Sequence, residues 1–118
     1  MKQNNIVQEK SFAFAVRAIK AYQLLTTERK EYVLSKQFLR SGTSIGANIE
    51  EAIGAQSKAD FIAKLSIAYK EARETHYWIR LLVETNYFSE VESQRLLSDL
   101  EEILKIVAKI KLTMKENS

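Results

Sequence analysis

The feature that most limits the folds open to this chain is a repeat in its second half. Phe61, Leu65, Ala68, Ala72, Thr75, Ile79 and Leu82 follow one another at alternating steps of four and three. That spacing keeps one stripe of a helix against a neighbour over many turns, which predicts a long packed helix over 58–86. Leu96, Leu100, Ile103, Val107, Ile110 and Met114 carry the same rhythm and predict a second helix over 90–115. No proline interrupts either run, because the 118 residues contain none, and only three are glycine. Leu, Ile, Ala, Glu and Lys lose little free energy in a helix, so helix is favoured along nearly the whole chain.

The first half yields two further helices. Over 5–27 two apolar stripes run side by side: Phe12, Ala15, Ile19 and Tyr22, and Phe14, Ala18, Ala21 and Leu25. They leave a narrow polar face at Lys10, Arg17 and Lys20. One stripe serves the core of a bundle, and the second predicts further burial against another subunit. A charged connector, Thr27 to Glu31, precedes a helix over 35–54, with Ser35 as the expected N-cap and Phe38, Ile45, Ile49 and Ala52 as its seam. Gly42 and Gly46 in mid-helix predict a bend or a close helix approach, and Gly54 a stop. Ser57 to Asp60 resembles a capping box with Asp in place of Glu, and Ser89 to Glu92 is a full one. Asn86 stands where a left-handed residue would close the third helix. Four helices with short connectors fold antiparallel, so the expected architecture is one all-α domain, an up-and-down four-helix bundle.

Composition narrows the chemistry. At 46% hydrophobic and 28% charged residues the chain is globular, without an export signal or an apolar run long enough for a bilayer, so a cytoplasmic location is expected. The absence of cysteine removes disulfides, thiolate metal sites and thiol nucleophiles. A di-iron bundle needs two Glu-x-x-His pairs, yet the lone His76 has Arg73 three residues before it. Glu50 with Glu51, and Glu71 with Glu74, have no nucleophile or phosphate loop beside them. No catalytic residue, metal or cofactor is expected.

Polar residues beside the apolar seams point to assembly instead. Ser41, Ser44, Asn48 and Glu51 line the margin of the second helix, and Glu71 and Glu74 that of the third. A partly buried polar layer is expected there, with Arg17 or Arg40 compensating Glu71, to set helix register or dock a subunit. Tyr69, Tyr77 and Trp78 are read as interface aromatics rather than a base-stacking platform. The net charge of +3 comes from one end of the bundle. There Lys2, Lys10, Lys58, Lys64, Lys105, Lys109, Lys111 and Lys115 outnumber Glu9, Glu50, Glu51, Asp60 and Glu116 by eight to five.

The stretch Ser44-Ile45-Gly46-Ala47-Asn48-Ile49-Glu50-Glu51-Ala52 is similar to the central motif of the 23S rRNA intervening-sequence protein family. Lys70 to Leu82, followed by Glu84-Thr85-Asn86-Tyr87, resembles the third helix of that family and its exit. The likeness spans roughly Ser11 to Met114. Ser44, Ile45, Asn48, Ile49, Glu51, Glu74 and Trp78 match the pattern, whereas Gly46 and Ala52 replace a common proline and glycine, and Asn86 a glycine. The resemblance implies a four-helix bundle assembling as a homopentamer, with no known catalytic activity. In a related branch, the accessory variability proteins of diversity-generating retroelements, it implies binding of a reverse transcriptase and nucleic acid through basic residues. The expected function is therefore a non-enzymatic homo-oligomeric scaffold. Its expected ligand is RNA or DNA, held by Lys58, Lys64, Lys105, Lys109, Lys111 and Lys115. The alternative is a protein-binding module that touches no nucleic acid.

Overall fold

The structure is a computed structural model that describes residues 2–117. Met1 and Ser118, and the side chains of Lys2 and Gln3, lie outside the described residues. Four helices, α1 (Lys2–Thr27), α2 (Leu34–Ile53), α3 (Lys58–Glu84) and α4 (Glu90–Glu116), form an antiparallel bundle measuring 48 × 21 × 19 Å. Each helix packs on the next and α4 closes back on α1. The start of α1, the end of α4 and the α2–α3 turn therefore share one end, and the α1–α2 and α3–α4 turns share the other.

The predicted stripes fill the core. Leu65, Ala68, Ala72, Thr75, Ile79 and Leu82 of α3 are buried against Leu96, Leu100, Ile103, Val107 and Ile110 of α4 and against Phe14, Phe38, Ile45 and Ile49. Burying each large apolar side chain contributes about 2 kcal/mol, enough in sum to order the helices. Between α1 and α2 the glycines act as spacers. A Cβ on Gly42 would lie 3.2 Å from the Ala18 Cβ, and one on Gly46 would lie 3.3 Å from the Ser11 carbonyl oxygen. The mid-helix glycines thus serve close approach, and α2 runs as one helix through them.

Local signals account for most helix ends. Ser57 accepts from the Asp60 N–H at 3.0 Å, and Ser89 and Glu92 form the reciprocal capping box. Asn86 has φ 68°, which lets the N–H groups of Tyr87 and Phe88 reach the Leu82 carbonyl. Phe88 then packs edge-on against Phe38 at 5.9 Å, fixing the α3–α4 turn to α2.

The start of α2 corrects the sequence reading. Ser35 is not the N-cap: the helix begins at Leu34, and the capping acceptor is the buried Glu31 carboxylate. It takes N–H bonds from Val33, Leu34 and Ser35 at 3.2, 3.1 and 2.6 Å, while the Ser35 hydroxyl bonds back to the Glu31 carbonyl. A carboxylate at a helix N-terminus satisfies several orphan donors and meets the positive end of the dipole. Burial works to raise the Glu31 carboxyl, but these N–H bonds outweigh it and hold the group below its ordinary value.

Candidate functional site

The four seams between neighbouring helices differ in chemistry. Along α2 and α3, Arg40 bridges Glu71 at 3.1 Å and also Glu74, which accepts the Trp78 indole N–H at 3.0 Å. The Trp78 bond, opposed by burial and helped by Arg40, holds Glu74 below its ordinary value. Lower on the same seam Lys64 pairs with Glu51 at 3.0 Å. Ser44 bonds to the Arg40 carbonyl and Asn48 to the Ser44 carbonyl, so both hydroxyl and amide serve their own helix. Beneath this surface lies the polar contact between the two helices. Thr75 Oγ1 stands 2.8 Å from Ser41 Oγ and 2.7 Å from the Glu71 carbonyl, in a site closed to solvent.

The polar layer expected from the sequence is therefore split. Arg40 compensates Glu71, and Glu71, Glu74 and Trp78 are brought together. Arg17 does not join them: it sits on the opposite seam, 3.1 Å from Asp99, because residue 17 faces α4. There Lys10 pairs with Glu102, and Arg95 lies 3.6 Å from Asp99, so this seam is also internally neutralised.

The seam of α1 and α2 carries one polar contact at its lower end, where the Gln8 amide donates to the Glu50 carboxylate at 3.0 Å, and α1 presents an apolar stripe beside it. Of the second stripe, Phe12 is 67% exposed and Ile19 42% exposed, with Val16 beside them at 38% and Ala15 and Tyr22 half-buried. The chain does not bury this stripe itself.

Along α3 and α4 three depressions follow one another. The upper, of about 720 Å³, is lined by Tyr77, Leu81, Val91 and Leu97 together with Arg80, Glu84 and Glu90. The middle one, about 490 Å³, is lined by Arg73, Glu74, His76, Tyr77, Arg80 and Leu104. The lower, about 240 Å³, is lined by Tyr69, Ala108, Lys111, Leu112 and Lys115. Arg80 lies over the Tyr77 ring at 5.9 Å and Lys111 over the Tyr69 ring at 5.5 Å. His76 Nε2 is 3.5 Å from Glu101 across the seam. Among the described residues Lys70, Arg73, Arg80, Lys111 and Lys115 have no carboxylate within ion-pair distance.

The lysines grouped by the sequence reading share the lower half of the bundle but not one face. Lys111 and Lys115 border the α3/α4 seam, and Lys105 and Lys109 stand on the outer ridge of α4, opposite its core stripe. Lys64 is on the other side of α3, committed to Glu51, and Lys58 opens α3 half-buried. Sorting charges by end rather than by helix face missed Lys70, Arg73 and Arg80. Their signal was present, since 70, 73, 77 and 80 recur at steps of three and four on α3 outside its apolar stripe.

Among the described residues no three His, Cys, Asp or Glu side chains converge on a metal position. None of the described helices is long and apolar enough to cross a membrane.

No curated protein matches the chain. A crystal structure of a protein with unknown function from the S23 ribosomal protein family of Bacteroides thetaiotaomicron is similar at a TM-score of 0.91 and 52% identity. The match covers 92% of this chain and 97% of that one. The family model for the 23S rRNA-intervening sequence protein matches residues 3–109. With the four-helix bundle, the Ser44 to Ala52 motif and this match together, the chain belongs to the 23S rRNA-intervening sequence protein family.

Proposed function

We propose that the chain is a non-enzymatic scaffold of the cytoplasm that self-associates, as a homopentamer by the family likeness, and binds nucleic acid on the assembled particle. The observation that carries this reading is the contrast between seams. Two are neutralised by their own ion pairs, one is flanked by an uncovered apolar stripe of α1, and one holds cations without partners. An uncovered stripe with Phe12 as its most exposed member supports burial against a second copy, because removing such area from water stabilises by about 25 cal/mol per Å². Unpaired cations gathered along one seam support a polyanionic ligand.

Sedimentation velocity tests the assembly: the wild type is expected at a multiple of 13.6 kDa, and Phe12→Glu/Ile19→Glu at the protomer mass with its helical circular dichroism intact. A wild type that sediments as a protomer refutes it. Ribonuclease-sensitive, salt-reversible RNA on the purified protein is the expected companion result. Association with another protein and none with RNA would instead select the protein-binding alternative.

A further inference from the structure

We propose that the α3/α4 seam is a track for single-stranded RNA, with phosphates held by Arg73, Arg80, Lys111 and Lys115 and bases lying on Tyr77 and Tyr69. This rests on the nucleic-acid reading above and goes beyond it, by naming the face, the strand state and two cations, Arg73 and Arg80, that the lysine-rich end does not include, and by giving bases to Tyr69 and Tyr77, which the sequence alone suggested as interface aromatics.

Charge selects this seam over the others. Arg17 and Lys10 are occupied by Asp99 and Glu102, and Arg40 and Lys64 by Glu71, Glu74 and Glu51. Those cations would have to break an ion pair before meeting a phosphate, whereas Arg73, Arg80, Lys111 and Lys115 would not. The acids at the seam are accounted for. Glu74 is held by Arg40 and Trp78, Glu101 stands beside His76, and Glu84 and Glu90 line the upper depression, which Arg80 borders from below, none of them within ion-pair distance of Arg80. A strand therefore runs from Arg80 toward Lys115 and stops below Glu84.

Geometry selects the strand state. Tyr69 and Tyr77 are eight residues apart on one helix, about 12 Å along its axis, which spans a few nucleotides. Each ring already has a cation above it, Lys111 and Arg80, so a base meeting the ring has a phosphate partner within reach. A positively charged groove with aromatic rings along it is the arrangement that grips single strands independently of sequence. A duplex is too wide to enter the furrow between two helices whose axes lie about 10 Å apart, and would leave the tyrosines unused.

Fluorescence anisotropy with a labelled 12-nucleotide RNA, single-stranded or annealed to its complement, tests the track over a series of KCl concentrations. For four phosphate contacts the expected slope of log K against log salt is about −2.8 on the single strand. Arg73→Ala/Arg80→Ala is expected to weaken binding at least tenfold and to flatten the slope by about 1.4. Tyr77→Ala is expected to weaken it at least fivefold with the slope unchanged. Lys20→Ala/Lys36→Ala removes the same charge from exposed positions on α1 and α2 and is expected to change affinity less than twofold. Equal losses in the two double variants would overturn the track by assigning binding to net charge alone. So would a duplex bound as tightly as the single strand, or a loss confined to Lys105→Ala/Lys109→Ala, either of which leaves the nucleic-acid reading standing. Absence of any RNA affinity at low salt would overturn both.

Discussion

Replacing Glu92 by Gln isolates one charge that ties three parts of the bundle together. Glu92 completes the capping box of α4 by accepting the Ser89 N–H at 2.9 Å. It also takes a two-pronged bond from Arg29, at 2.7 and 2.6 Å, and Arg29 in turn reaches the Tyr87 carbonyl. The carboxylate therefore staples the end of α1 to the start of α4 and to the α3–α4 turn. The Arg29 bonds first, then the Ser89 N–H, lower its pKa from 4.5 to about 2, against a smaller opposing effect of burial. Fully realised, that difference corresponds to about 3 kcal/mol. Both side chains are about one-third exposed, at 32% and 34%, and screening by solvent brings the expected contribution to about 1–2 kcal/mol. Because the folded pKa is depressed, the stabilisation is complete above pH 4.5 and is lost as pH falls from there toward about 2. Gln keeps a capping-box partner but carries no charge. Urea denaturation followed by far-ultraviolet circular dichroism, at one fixed protein concentration, should place Glu92→Gln about 1–2 kcal/mol below the wild type at neutral pH. The two should converge as pH is lowered to about 2.5. A gap of the same size at both pH values would refute the reasoning, because it would assign the stabilisation to neutral hydrogen bonding rather than to charge.

Gly46→Val should destabilise the bundle by about 3 kcal/mol or more, since even a Cβ there meets the Ser11 carbonyl at 3.3 Å and backbone cannot rotate away. Urea midpoints measure it, and a stability unchanged from wild type would show that α1 and α2 can part freely. The Ser41–Thr75 pair should behave as a unit: Thr75→Val should cost about 1–2 kcal/mol by leaving the buried Ser41 hydroxyl with only its long 3.4 Å bond to the Phe38 carbonyl. In the double variant with Ser41→Ala the losses should fall short of additive by about 1 kcal/mol, and strict additivity in a double-mutant cycle would sink the coupling.

Much of the fold was legible in the chain because its signals are local. The four-three stripes of α3 and α4, the capping serines Ser57 and Ser89, and Asn86 all act through neighbours within a few residues, where helical periodicity or backbone stereochemistry decides the outcome. Ser35 failed as an N-cap because a better acceptor, Glu31, lies four residues before it and folds back over the helix start. The connector also hides Lys30 at φ 57°, a left-handed position without the usual Gly or Asn. It is held by the bonds that close α1, including Glu31 N–H to the Leu25 carbonyl at 2.9 Å, and local preference gives no sign of it.

The interaction surfaces were only half legible. Two apolar stripes on α1 were evident from spacing, and the structure places Phe14, Ala18 and Leu25 inward and Phe12 and Ile19 outward. The charges were harder, because a lysine reads the same whether it is paired or free. Lys64 and Lys111 both lie in the lower half of the bundle, yet Glu51 neutralises one and the other rests on a tyrosine ring.

By itself, the sequence determined four helices, where most of them end, which stripes are apolar and that the chain is weakly basic. Those properties depend on the periodicity of a helix and the chemistry of a few adjacent residues. Only the tertiary structure decided that Arg40 rather than Arg17 meets Glu71, that the α1/α4 and α2/α3 seams neutralise themselves, and that unpaired cations remain between α3 and α4. Ion pairing depends on distances of a few ångströms between residues far apart in the chain. Such distances are fixed only once the rotation of each helix about its own axis is set by core packing.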